Sequence, residues 1–109
     1  VRRGDVVLIV APGDIGKPRP AVVVQSDALG AATTSIIVCP MSSEVAGVGR
    51  LRPTIEAAPG SGLRARSQIM TDKITALRRD RVRGVLGRLD DEQMAQLDRA
   101  ILIVLGLAE

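Results

Sequence analysis

The chain has 109 residues, 46% of them hydrophobic, with one cysteine and no histidine, phenylalanine, tyrosine or tryptophan. That length holds one domain, residues 1–109, around a single modest core, and the missing imidazole removes the serine triad, the Cys–His pair and the usual zinc ligand sets. The net charge is +3 and rests on arginine, with lysine only at Lys17 and Lys73; an anionic partner is expected, nucleic acid first, against the plain alternative of a genome that uses arginine for lysine.

Asp5–Val10 is β-branched and apolar and predicts a first strand. Ala11–Pro18 carries two prolines, two glycines and Asp14 and reads as a loop. Arg19–Ser26 predicts a second strand, central because Ala21–Val24 is apolar on both faces, with Pro20 tolerable only at its first position. Asp27–Thr33 reads as a turn or short helix, and Thr34–Pro40 as a third strand with Cys39 as a core thiol. Met41–Arg50 is a second loop. Leu51–Ala57 predicts a fourth strand, weakened by Pro53. The turn Pro59-Gly60-Ser61-Gly62 sends Leu63–Met70 back as the fifth strand of a hairpin. Thr71–Asp80 reads as a short helical turn near Leu77–Asp80, and Arg81–Leu89 as the last strand. Asp90 and Gln93 have the spacing of a capping box. Met94, Leu97, Ile101, Val104 and Leu105 then fall on one face of a C-terminal helix. The expected fold is mainly β, a small barrel or half-barrel with that helix packed on it.

The longest apolar stretch, Ala100–Ala108, is too short to span a bilayer, and no targeting segment is read. A single cysteine fits a reducing compartment, so the expected location is cytoplasmic. Scattered carboxylates without histidine give no metal-ligand spacing, and no cofactor is expected. Asp90-Asp91-Glu92 is accounted for by the helix start. Gly13-x-x-Gly16-Lys17 has the wrong spacing for a phosphate loop.

Four constellations can carry chemistry. In Lys17-Pro18-Arg19-Pro20, two imino acids hold one arginine at the mouth of a strand. A guanidinium fixed in this way suits a phosphate, although an exposed strand-end arginine is the plainer reading. Ser42 and Ser43 follow the third strand and offer hydroxyls to a phosphate oxygen, or simply begin a loop. On a continuous fifth strand, Arg64, Arg66 and Gln68 share one side as a basic stripe, or as a solvated face; Ser67 is then the polar exception on the apolar side. Arg78-Arg79-Asp80-Arg81-x-Arg83 is either a landing strip for RNA or a solvated edge that resists aggregation.

Several of these pieces, in order, resemble the MazF/PemK family of toxin endoribonucleases, related in fold to the CcdB gyrase poisons. They are Arg3-Gly4-Asp5-Val6, the stretch Arg19–Asp27, Val38-Cys39-Pro40-Met41-Ser42-Ser43, Ser67-Gln68-Ile69-Met70 with Asp72-Lys73-Ile74, and Gly87-Arg88-Leu89 before the helix. The resemblance implies an SH3-like barrel, a homodimer, cleavage of single-stranded RNA, and a cognate antitoxin whose extended acidic tail fills the RNA groove. It puts the catalytic arginine on Arg19 and the catalytic hydroxyl, usually threonine, on Ser42. Lys17, Pro18, Ser43, Arg64, Arg66, Ser67 and Gln68 are then the substrate-binding set. Gln68 matches a glutamine common in the family. The acidic residue that some members use as a base falls on Ser67, and that branch's arginine acid falls on Ala65. The general base is therefore unassigned.

Without aromatic rings, base recognition must use the planes of Arg64 and Arg66 and backbone groups of Asp14–Pro18 and Ser43–Arg50. Two rival readings keep the barrel without catalysis: a gyrase-poison-like protein-binding toxin acting through Gly106–Glu109, and a regulatory module inactive because Ser67 lacks a carboxylate.

Overall fold

The computed structural model of the chain describes residues 1–10, 17–45, 47 and 49–109. Seven strands precede one helix: β1 (Asp5–Ile9), β2 (Arg19–Val23), β3 (Ser35–Ser42), β4 (Thr54–Ile55), β5 (Ser67–Ile69), β6 (Thr75–Arg78), β7 (Val82–Arg88) and α1 (Asp91–Val104). They form one antiparallel sheet in the order β4-β5-β3-β2-β1-β7, with β6 also paired to β3. Single 3₁₀ turns lie at Asp27–Leu29, Thr71–Lys73 and Arg79–Arg81. The expected mainly β architecture with a C-terminal helix is the one observed.

Strand alternation sorts the apolar side chains into two clusters on opposite faces of the sheet. Val6, Val22, Cys39, Met41 and Ile69 pack with Leu97 of α1. Val7, Ile9, Ala21, Val23, Ile36 and Val38 pack with Leu77 of β6. β2 contributes to both clusters, which is why its apolar run is continuous and why it lies centrally, between β1 and β3.

The helix begins as its sequence requires. Gln93 N–H donates to Asp90 Oδ1 at 2.7 Å and Asp90 N–H to Gln93 Oε1 at 2.9 Å. Leu97 and Ala100 are buried, and Met94 and Ile101 pack against the same core. Leu105 was expected on that face but lies past the last helical turn and is 53% exposed. Two ion pairs tie the chain start to the C-terminal half: Arg3 to Asp98, and Asp5 to Arg88 at 2.9 Å. No helix among the described residues is long and apolar enough to cross a membrane.

Three expectations need correction. The fourth strand is two residues, not Leu51–Ala57: Pro53 has no N–H to donate, and only its carbonyl joins the network, accepting from Ile69 N at 2.9 Å. The fifth strand begins at Ser67 rather than Leu63. Gly62, at φ +71°, brings the chain so close to β7 that a Cβ would sit 2.0 Å from the Leu86 carbonyl oxygen, and residues 63–66 leave the ladder. The stretch around Leu77 is not helical but strand β6, followed by the 3₁₀ turn at Arg79–Arg81. Only Leu77 in that strand is buried, so its apolar signal is too sparse to read.

Candidate functional site

An antiparallel sheet sets the first residue of one strand beside the last residue of its neighbour. β2 opens at Arg19 and β3 closes at Ser42, and the pairing of Ala21 with Pro40 fixes their relative height. β5 extends the same end of the sheet, because Met41 pairs with Ile69 and Ser42 with Gln68. Ser67, the first residue of β5, therefore lies near the chain end that carries Ser42.

The remaining wall is a turn held down on β7. Ser61 Oγ donates to the carbonyls of Glu56 and Ala58 at 3.1 and 3.2 Å. Arg88 N–H donates to the Gly60 carbonyl at 2.9 Å. A Cβ on Gly87 would lie 2.3 Å from that same carbonyl oxygen. This close seat carries the following residues, Leu63, Arg64 and Ala65, to the mouth between β2 and β3.

These pieces enclose an open cavity of about 620 Å³. Its apolar lining comes from Leu8, Pro18, Pro20, Met41, Leu63 and Leu86, and its polar lining from Arg19, Ser42, Ser43, Glu44, Arg64 and Ser67. Arg19 is exposed there, between Pro18 and Pro20. Ser42 is half-buried, and its Oγ accepts from Glu44 N–H at 3.1 Å, which leaves its own O–H for a ligand. Ser67 differs: it is 4% exposed and its hydroxyl already donates to the Ala65 carbonyl at 2.9 Å. Arg64 is exposed and has no ion-pair partner among the described residues.

The sequence-predicted set divides accordingly. Pro18, Arg19, Ser42, Ser43, Arg64 and Ser67 meet at one cavity. Lys17 is exposed beside it but does not line it. The shared side expected for Arg64, Arg66 and Gln68 is not formed. Arg66 lies outside the cavity with its Nε 3.3 Å from Glu56 Oε1, and Gln68 is 1% exposed within the sheet. The alternation argument fails because residues 63–66 are not strand. Of the backbone stretches offered for base recognition, Asp14–Pro18 and Ser43–Arg50, residues 14–16, 46 and 48 lie outside the described residues.

Glu44 was missed. It is the one carboxylate among the described residues that line the cavity. Its signal was its place directly after the serine pair, in a segment read as loop and offered only for its backbone groups.

Two other singled-out features lie outside the cavity. Cys39 is buried, and burial pushes its thiol up to about 12, against a smaller opposing pull from Arg3. In the basic run, Arg78 pairs with Asp80 at 2.7 Å, and Arg79 donates to the carbonyls of Thr33 and Gly30, each at 2.7 Å. Arg79 thus braces the β2–β3 connection, and neither residue lines the cavity. Among the described residues no group of three or more His, Cys, Asp or Glu is arranged to hold a metal ion.

The family model described as PemK-like, MazF-like toxin of type II toxin-antitoxin system matches residues 2–105. The chain belongs to this family. This MazF-like toxin is 38% identical over 109 residues to a probable endoribonuclease MazF of Mycolicibacterium smegmatis, covering 99% of each chain. The solved Mycobacterium tuberculosis toxin MazF-mt6 matches its fold with a TM-score of 0.80 at 19% identity, over 94% of this chain and 96% of that one. A mycobacterial endoribonuclease in complex with its cognate antitoxin matches with a TM-score of 0.80 at 18% identity, over 100% and 98%. The sheet and helix of this MazF-like chain are thus those of solved MazF toxins.

Proposed function

We propose that this MazF-like toxin is a sequence-specific endoribonuclease that cleaves single-stranded RNA in the cytoplasm, as a homodimer restrained by a cognate antitoxin with an acidic extended tail. The observation that carries the reading is the meeting of Arg19 and Ser42 at one open, basic-lipped cavity. RNA brings its own nucleophile, the 2′-OH, so the enzyme must align that oxygen with the scissile phosphorus and stabilise the charge that develops. Arg19 supplies paired N–H donors to the non-bridging oxygens. Ser42 adds an O–H donor and sets the phosphate's orientation. A guanidinium is a poor proton donor at neutral pH, so Arg19 acts mainly by electrostatics. The products are a 2′,3′-cyclic phosphate and a 5′-hydroxyl, and the transesterification requires no metal.

With no aromatic ring in the chain, bases meet the apolar lining, and Arg64 reaches the phosphate backbone beside Arg19. The same cavity suits an antitoxin's acidic tail, which would compete with RNA for Arg19 and Arg64. The non-catalytic gyrase-poison reading is not favoured: the M. smegmatis relative, matched over its whole length, carries an endoribonuclease name, and that reading leaves the cavity unused.

The test is incubation of the purified toxin with mixed-sequence RNA in EDTA. Cleavage is expected to persist, and Arg19→Ala to lower its rate by about 10²–10³-fold, as for loss of an oxyanion donor. Loss of wild-type cleavage in EDTA, or near-full activity of Arg19→Ala, contradicts the proposal.

A further inference from the structure

The cavity must also remove a proton from the 2′-OH, and its lining narrows the choice. Guanidinium groups do not give up their proton in proteins, so Arg19 and Arg64 cannot accept one. Neutral hydroxyls are poor bases, and that of Ser67 is already engaged with the Ala65 carbonyl. Among the described lining residues this leaves Glu44.

The other carboxylates of the described chain are largely accounted for. Asp5, Glu56, Asp72, Asp80 and Asp98 sit in ion pairs. Asp27 accepts Arg3 N–H, Asp90 caps α1, and Asp91 and Glu92 occupy the first helical turn. The Glu44 side chain, by contrast, makes neither ion pair nor hydrogen bond among the described residues. Its backbone is nonetheless tied to the site, through the 3.1 Å bond from Glu44 N–H to Ser42 Oγ. The carboxylate stem is therefore held at a set offset from the hydroxyl that grips the phosphate, while the side chain keeps the freedom to close on substrate.

We propose that Glu44 is the general base of RNA cleavage, an assignment that rests on the endoribonuclease reading above. The Glu44 carboxylate takes the 2′-OH proton as O2′ bonds to phosphorus. The P–O5′ bond breaks with its electron pair on O5′, which takes a proton from water. Protonated Glu44 then returns its proton to solvent. Among the described residues, Arg19 from β2 and Arg64 from the turn before β5 are the charged groups that share the cavity with it, and both contact phosphate rather than the proton in flight.

The experiment compares wild type, Glu44→Gln and Glu44→Ala on a defined RNA under single turnover across the neutral pH range. Binding is measured separately on the same oligonucleotide with a 2′-deoxy scissile residue. Glu44→Gln is expected to lose about 10²-fold in rate, within the usual contribution of a positioned base, with Kd unchanged or tighter. Its residual rate should rise in proportion to hydroxide, since solvent hydroxide must replace the missing base. Added formate should partly restore Glu44→Ala. A wild type that cleaves while Glu44→Gln keeps its rate overturns the assignment and leaves the endoribonuclease reading standing. So does a variant whose loss lies wholly in Kd, or whose only change is in the sequence cleaved. A wild type that cuts no RNA removes the parent reading and this one with it.

Discussion

Arg64 faces the cavity, whereas Arg66, two residues on, pairs with Glu56 at 3.3 Å outside it. A strand would have put both on one side; the turn separates them. Arg64→Gln is therefore expected to weaken RNA binding and to lower the log–log salt slope by roughly 0.7, the share of one phosphate contact on a single strand. Arg66→Gln should leave the slope unchanged. Titration by fluorescence anisotropy at several salt concentrations separates the two.

The two cavity serines should also differ. Ser42 has its O–H available, whereas Ser67 spends its proton on the Ala65 carbonyl. Ser42→Ala is expected to cost about 10²-fold in cleavage rate, the lower range for one lost donor to a developing anion. Ser42→Thr keeps the hydroxyl and should retain activity. Ser67→Ala should cost much less than Ser42→Ala in the same assay.

Glycine matters where backbone meets backbone. Added Cβ atoms on Gly62 and Gly87 would fall 2.0 and 2.3 Å from the Leu86 and Gly60 carbonyl oxygens, whereas nothing lies within 4 Å of one on Gly30. Gly62→Ala and Gly87→Ala are each expected to destabilise by on the order of 3 kcal/mol and to displace the cavity wall. Gly30→Ala meets no such clash, but φ +51° with ψ −131° is backbone nearly reserved for glycine, so it should cost about 1–3 kcal/mol of strain and leave the cavity wall in place. Urea melts with RNA titrations on the folded variants check both statements.

Burial of Cys39 makes stability depend on alkaline pH. The thiol ordinarily ionises at 9.0 and in the fold is pushed up to about 12. The unfolded chain therefore loses this proton first, and stability falls as pH rises between those two values. Cys39→Ala should flatten that part of the profile while lowering stability at neutral pH, because a packed side chain is lost. In the native state the thiol should be inert to disulfide reagents until the chain opens.

Much of this protein is legible along the chain because the causes are local. The capping box needs only Asp90 and Gln93 at their spacing. The central place of β2 follows from an apolar run on both faces. Pro18-Arg19-Pro20 and the serine pair at the end of β3 stand out before any fold is known. β6 did not stand out, since one inward leucine in four residues is too weak a period. Residues 63–66 read as strand because their pattern alternates; nothing local reveals that Gly62 is pressed against β7.

Residue order and type alone were enough for a mainly β domain with a capped C-terminal helix, and for Arg19 and Ser42 as candidate phosphate contacts, since those rest on periodicity, capping spacing, imino-acid restraint and a hydroxyl at a strand end. Folding in three dimensions settled which cations among the described residues face the cavity, that Gln68 is sheathed inside the sheet, and that the Glu44 carboxylate lines the same cavity without an ion pair to any described residue. Each of these depends on contacts between segments distant along the chain, where one backbone's closeness to another, rather than any neighbouring residue, sets the direction of a side chain.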